Sequence, residues 1–485
     1  MTSGRISPPP SDDDRGPENT PSSVPHFSEH GRRREVAKPS TPTVNARHFV
    51  MSEYSESSEN LLAYHRGKFR AWNGSWWAVL DESDLRSRIV RFFEHAYFIV
   101  KNDDGLEEVA FDPTPAKVNQ IVDTLKSLTN KGTDRLMPSW PQPDHPAEPE
   151  EILPVANGLL YLPMRALISP TPVFFNAYAL PYGYNPEAPT PERWIKFQDE
   201  VFGDDEEAKL LLQEWMGYLL TVDTSQQKIM LMVGPKRAGK STIGRVITAL
   251  LGANNVAGTS MNDLCDPHGL QELADKPAAN IADARMPKGK ETTTAVERLL
   301  SISGEDPQSV NPKFKNRYTV KLPTRITMMT NELPKLIDTS VVLVSRLLVL
   351  RFRESYFGRE DPGLLNDLID ELPGILLWAL DGRDRLNERG HFLQPESGQS
   401  LIEDLLAMAS PISAFIDERC VVGPDEKVEI DPLYRNWSEW CKANGHIPGS
   451  KNGFLGKLRA VSQELEVTRG GGTPRKREYH GIGLA

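Results

Sequence analysis

The sequence predicts an α/β protein: a parallel sheet flanked by helices, an N-terminal α+β and helical region before it, and a small helix-and-strand domain after it. Three observations predict this. The apolar run "KIMLMV" (228–233) breaks into the glycine-punctuated "GPKRAGKST" and resumes as the helical pattern "TIGRVITALLG", with Gly252 placed to end the helix. Further short apolar strands, "PAANIADAR", "TRITMMTNELP" and "VSRLLVLRF", follow with helical stretches between them, the alternation that gives a parallel sheet. Three helical stretches from about Ser410 are then closed by two strand-like pieces around the basic, glycine-rich turn in "LEVTRGGGTPRKREYHGIGL".

Composition bounds the rest. A chain of 485 residues is too long for one core, so several domains are expected. No apolar run reaches the roughly eighteen residues of a membrane span, and no apolar signal core opens the chain; a soluble, cytoplasmic protein is expected. Cys265, Cys420 and Cys441 are scattered and odd in number, which argues against a disulfide scaffold, a zinc site or redox chemistry. The net charge of −11 confines any nucleic-acid binding to a local basic surface or a lined channel.

Residues 1–58 are rich in Pro, Ser and charge and read as a disordered tail. The "RRR" run Arg32, Arg33 and Arg34 can touch phosphate, although a solvated basic run is the plainer reading. Residues 59–150 read as a small α+β domain. Aromatic residues flank an Asn73–Gly74 hairpin turn, and "DLRSRIVRFFEHAYFIV" and "PAKVNQIVDTLKSL" read as amphipathic helices. Trp72, Trp76 and Trp77 are expected to pack a core rather than stack on bases. Residues 151–225 form a second module ending in a helix with Leu210, Leu211, Glu214, Trp215, Tyr218 and Leu219 at helical spacing.

Residues 226–390 carry the chemistry. The loop Gly234, Pro235, Lys236, Arg237, Ala238, Gly239, Lys240, Ser241 and Thr242 has the G-x-x-x-x-G-K-S/T pattern between strand and helix. Its two glycines let backbone amides converge on a phosphate, and the helix N-terminus adds a favourable dipole. Lys240 is expected to reach the β- and γ-phosphates of ATP, and the Ser241 hydroxyl to ligate Mg2+. Asp283, ending the next apolar strand, is the candidate metal-side carboxylate. Asn331, ending the strand after that, is placed to orient an attacking water or sense the γ-phosphate. Arg346 begins the last strand, where a guanidinium can reach a neighbouring subunit's γ-phosphate; Arg351 or Arg353 can take that role instead.

The succession "GPKRAGKST", "NIADAR", "TMMTNELP" and "SRLLVLRF" resembles the superfamily 3 helicases, in particular the helicase portion of the phage and plasmid primase-helicase family, which includes the poxvirus-type nucleoside triphosphatases. The resemblance covers about residues 60–485. It implies an AAA+-like P-loop fold, a collar-like domain before the motor, a homo-hexameric ring and 3′ to 5′ translocation on single-stranded DNA. It also implies a basic hairpin between the acid and sensor motifs, for which Lys313 and Lys315 in "NPKFKNRYTV" are the candidates. Residues 405–485 are similar to the family's terminal winged-helix-like domain. Arg469, Arg475, Lys476 and Arg477 would form its wing on origin duplex DNA, with Lys451 and Lys457 near the recognition helix. A charged oligomerisation module is the competing reading.

Two departures matter. Ala284 stands beside Asp283 where many members carry a catalytic glutamate, so either Asp283 serves both metal and water or a nearby acid such as Glu291 is the base. No segment is large enough for the primase domain of the family's longer members, so primer synthesis is not expected, and a separate primase or other replication protein is a candidate partner. The expected function is an ATP-dependent DNA helicase of a phage, prophage, satellite or plasmid, acting in a bacterial cell or infected host. The alternative is a nucleotide-switched DNA-binding initiator or loader with little unwinding activity. A small-molecule kinase fits poorly, since nothing in the sequence looks like an acceptor pocket or lid.

Overall fold

The computed structural model describes residues 33–485 apart from 57–58, 143, 288–289, 314–316, 335–340, 445, 462–465 and 470–476. The chain divides into two compact units, one of residues up to Tyr64 with Lys68–Asn130, the other of His65–Gly67 with Lys131–Ala485.

In the first unit, helix α1 (Pro42–Glu53) lies inside the segment expected to be disordered. Proline at its first turn starts it, and Asn45, Ala46, Phe49 and Val50 bury one face. The composition of the residues before it masked this short amphipathic pattern. Strands β1 (Lys68–Trp72) and β2 (Trp77–Leu80) form the expected hairpin, with Asn73 Oδ1 accepting from the amides of Ser75 and Trp76. Trp72 and Trp77 are buried, which favours the core reading for them. Helix α2 (Glu82–Phe93) stops short of the expected span. "AYFIV" belongs instead to strand β3 (Ala96–Asn102), paired antiparallel with β4 (Gly105–Ala110). Helix α3 (Pro115–Leu128) is as expected.

The second unit opens with a small antiparallel sheet of β5 (Ile152–Val155), β6 (Gly158–Tyr161) and β7 (Ala166–Ile168). Helices α4 (Glu192–Phe202) and α5 (Glu206–Leu219) follow. A parallel sheet comes next, built from β8 (Ile229–Val233), β9 (Val256–Thr259), β10 (Ala278–Ile281), β13 (Arg325–Thr330) and β14 (Leu347–Arg351) in the order β9-β10-β13-β8-β14. Helix α6 (Lys240–Leu251) joins β8 to β9, and α7 (Lys290–Ser303) follows β10. A two-stranded hairpin, β11 (Gln308–Val310) with β12 (Tyr318–Val320), precedes β13. The protein is thus a mixed α/β chain with a five-stranded parallel sheet and many helices.

Strand β8 is buried on both faces, as strands of a covered parallel sheet are. Met230 and Met232 enter one core with residues of α5, α6 and α9 (Leu372–Arg389), while Ile229, Leu231 and Val233 enter a second with residues of α7 and α10 (Glu396–Ala409). Between β14 and α9 lies the short helix α8 (Leu364–Asp370). Helices α5 and α9 cross at reciprocal glycines. A Cβ on Gly217 would lie 2.2 Å from Ala379 O, and one on Gly382 would lie 2.5 Å from Gln213 O. Beside this crossing the buried Glu214 carboxylate pairs with Arg385 at 2.8 Å and with Arg389. The first core is continuous from the residues before β8 into the sheet.

The C-terminal residues have a core of their own, including Phe415, Trp437, Trp440, Phe454 and Tyr479. Its elements are α11 (Pro411–Arg419), β15 (Cys420–Glu429), α12 (Ile430–Ala443), α13 (Lys451–Val461), β16 (Glu466–Arg469) and β17 (Arg477–Leu484). Strand β17 lies between the other two. The sequence pattern gave three helices and two strands; β15 was read as helix end and start because its polar alternation leaves no apolar run.

Candidate functional site

The strand order makes a crevice. The chain leaves β8 towards β9 at one edge and later crosses from β13 over β8 to β14, and open α/β sheets bind ligands outside the strand ends at such a reversal. At that position lies a cavity of about 780 Å³. Loop residues Lys236–Thr242 line it together with Ala282 and Asp283 after β10, and Thr330 and Asn331 at the end of β13.

The loop is held by its neighbours. Gly234 donates to Thr330 O at 3.3 Å, and a Cβ there would come within 2.4 Å of Phe352 O. Gly239 has φ +93°, a left-handed conformation that glycine adopts without a Cβ penalty. A side chain on it would also meet Val201 Cγ2 at 3.0 Å.

The loop carbonyls are accounted for one by one. Lys240 Nζ donates to the carbonyls of Gly234 and Pro235, both at 2.6 Å, and to Asn331 Oδ1 at 3.3 Å. The carbonyl of Lys236 accepts from Ser355 Oγ at 2.8 Å, and that of Arg237 from the amide of Tyr356 at 2.9 Å. Among the described residues, the amides of Lys236, Arg237 and Gly239 donate to no protein acceptor. Carbonyls turned away and amides left over at a helix start make a concave set of donors for an anion. Lys240 adds a cation that is only 7% exposed, and burial pulls its pKa below the ordinary lysine value.

The other expected residues fall in different places. Asp283 lines the cavity two residues beyond β10, with its carboxylate 54% exposed and 3.1 Å from Arg285 Nε. Ser241 is exposed on the first turn of α6 and faces the same space. Val233 pairs with Thr330, so Asn331 emerges level with Gly234. Ala284 is 1% exposed, packs in the second core and donates its amide to Met329 O. Glu291 does not line the cavity.

Arg346 is not brought to the cavity. It immediately precedes β14, its carbonyl accepting from the Ile229 amide at 2.9 Å at the far end of the strands from the loop, and its side chain donates to Leu300 O and to Ser303 Oγ at the end of α7. Arg351 and Arg353 line a neighbouring cleft with Glu200 and Glu354. Lys313 is exposed in the β11–β12 connection, where its amide donates to Gln271 Oε1 at 3.3 Å. Lys315, Arg475, Lys476 and the tail's Arg32 lie outside the described residues. Arg469 and Arg477 pair across β16 and β17 through their backbones.

Sequence reading missed one wall entirely. Phe197 and Val201 of α4 and Leu364 and Leu365 of α8 give the cavity an apolar side, joined by Tyr356, Arg359, Glu360 and Asp361. The Glu371 carboxylate accepts from the amides of Arg193 and Trp194 at 2.9 Å each, fixing the first turn of α4. The helical spacing of Trp194, Phe197 and Val201 marks a buried face but carries no sign that part of it meets a ligand. Among the described residues no group of His, Cys, Asp and Glu could hold a metal alone, and no helix is long and apolar enough to cross a membrane.

A profile described as a family of unknown function (DUF5906) matches residues 232–346, which include the loop, Asp283, Asn331 and Arg346. Among solved structures the chain is similar to the A form apo structure of the NrS-1 C-terminal region, with TM-score 0.43 and 11% identity over 80% of this chain and 94% of that one. It is also similar to the apo structure of the NrS-1 C-terminal region (305–718), with TM-score 0.42 and 12% identity over 79% of this chain and 93% of that one.

Proposed function

We propose that this chain is an ATP-dependent DNA helicase of the superfamily 3 type, working as a homo-hexameric ring on single-stranded DNA in replication of a phage, prophage, satellite or plasmid. One observation carries the reading: the carbonyls from Gly234 to Arg237 are all bonded, while the amides of Lys236, Arg237 and Gly239 stay free beside buried Lys240. That arrangement suits the triphosphate of ATP, with its base against the apolar wall of Phe197, Val201 and Leu364.

Ser241 and Asp283 share the cavity and would hold Mg2+, which when bound neutralises phosphate charge. Lys240 would exchange its carbonyl partners for phosphate oxygens, and Asn331, already 3.3 Å from it, would orient the attacking water. Arg346 would act across a subunit boundary only by leaving the end of α7. The exposed Lys313 supports a DNA-contacting hairpin. The order helix, strand, helix, helix, strand, strand at the C-terminus, with the last strand central, supports the winged-helix reading and duplex binding at the origin.

The test is the steady-state ATPase rate with and without single-stranded DNA for wild type, Lys240→Ala and Asp283→Ala. A DNA-stimulated rate lost in both variants is expected. The burial of Ala284, which leaves Asp283 without an adjacent acid, favours a second reading as a nucleotide-switched initiator or loader. A strand-displacement assay separates the two. DNA affinity that changes with nucleotide, without any displacement, would select the switch.

A further inference from the structure

Residues 353–362 leave the end of β14 and run along the outer side of the glycine loop. Ser355 Oγ and the Tyr356 amide take the carbonyls of Lys236 and Arg237. Glu360 reaches Arg237 at 3.5 Å, the loop residue held at φ +60°. The Tyr356 hydroxyl donates to the carbonyl of Glu200 on α4, the helix that supplies Phe197 and Val201 to the apolar wall. The Tyr356 carbonyl in turn accepts from the Arg359 amide at 2.8 Å, which closes a compact turn.

We propose that this segment is a strap whose Ser355 and Tyr356 are positioning residues: they hold the loop with its carbonyls outward, so that its amides face the cavity before any ligand arrives. The inference rests on the nucleotide reading and adds what prepares the site. A loop containing two glycines has many backbone conformations, and a ligand that must order it binds more weakly. The strap removes that freedom in the free protein. Because Tyr356 also grips α4, the phosphate end and the apolar wall are set at a fixed separation.

The test uses the full chain with Ser355→Ala, Tyr356→Phe and the double variant. Affinity is measured for Mg-ATP and for inorganic tripolyphosphate, together with hydrogen exchange at the amides of Lys236–Gly239. Tripolyphosphate reports on the loop alone, because it has no base to touch the wall. The double variant removes the Ser355 bond to the loop and the Tyr356 bond to α4 but keeps the Tyr356 amide bond; it is expected to lose several-fold in affinity for tripolyphosphate and about tenfold for ATP, with faster exchange at the loop and a melting temperature lowered by no more than about a few degrees. Loss for ATP with tripolyphosphate binding intact would confine the effect of Ser355 and Tyr356 to the apolar wall and overturn the strap. Variants that match wild type for both ligands would overturn it as well, leaving the nucleotide reading in place. A wild type that binds neither ligand would overturn the nucleotide reading, and the strap with it.

Discussion

Lys240 illustrates how much one side chain can be asked to do. Burial lowers its pKa from the ordinary 10.5, because the cavity solvates an ammonium less well than water does. For a depressed lysine both states are protonated at low pH, so the folded state bears the full cost there and is relieved as pH rises towards 10.5. Phosphate binding runs the other way. It needs the charged form, so affinity is full below the depressed pKa and falls as pH rises through it. ATP affinity measured from neutral pH upward is expected to drop with a midpoint below 10.5, and Lys240→Met is expected to remove both the midpoint and most of the affinity. Ala284 gives the converse case. Its side chain enters the core, so Ala284→Glu would bury a carboxylate without delivering a base. We expect no gain in ATPase rate and a loss of a few kcal/mol in urea unfolding; a faster enzyme would show that the backbone there can turn.

Elements differ in how plainly the sequence declares them. The loop, its strand and its helix were legible to within two residues, the helix starting at Lys240 rather than Thr242, because a covered strand, two glycines and a lysine leave little freedom. Asp283 and Asn331 were legible through the same logic of strand ends. The strap was not, since its contacts join residues more than a hundred positions apart and end on backbone carbonyls; nor was the α4 wall, whose apolar spacing marks only a buried face. Helix α1 and strand β15 were missed for opposite reasons, one hidden by the composition before it and the other by an exposed, polar pattern. The α5–α9 crossing was also invisible, although it turns on Gly217 and Gly382. Gly217→Val is expected to force the helices apart and cost about 3 kcal/mol or more by chemical denaturation, whereas substituting Gly423, which has no close neighbour, is expected to change little. The buried Glu214 makes the same crossing sensitive to charge. Glu214→Ala would take a shared carboxylate from two partly exposed guanidinium groups that keep other acceptors, at about 1–3 kcal/mol.

At the scale of the whole molecule, the net charge of −11 confines any contact with DNA to a local basic surface. If the β11–β12 hairpin grips phosphates, Lys313→Ala should weaken single-stranded DNA binding evenly across sequences and reduce the salt-dependence slope by about one. Fluorescence anisotropy from low to moderate salt measures this, and an unchanged slope would move the contact elsewhere. The inserted position of β8 has another consequence, for synthesis. Its neighbours β13 and β14 come late in the chain: Lys228 and Ser345, hydrogen-bonded at the start of β8 and β14, are 117 residues apart. At about 5–20 residues per second, the ribosome delivers that partner roughly 5–25 s after β8 itself. Until β13 emerges, somewhat earlier in that interval, a strand of five apolar residues has neither of its edges paired, and a nascent chain paused between 234 and 324 should be the species that chaperones bind most tightly.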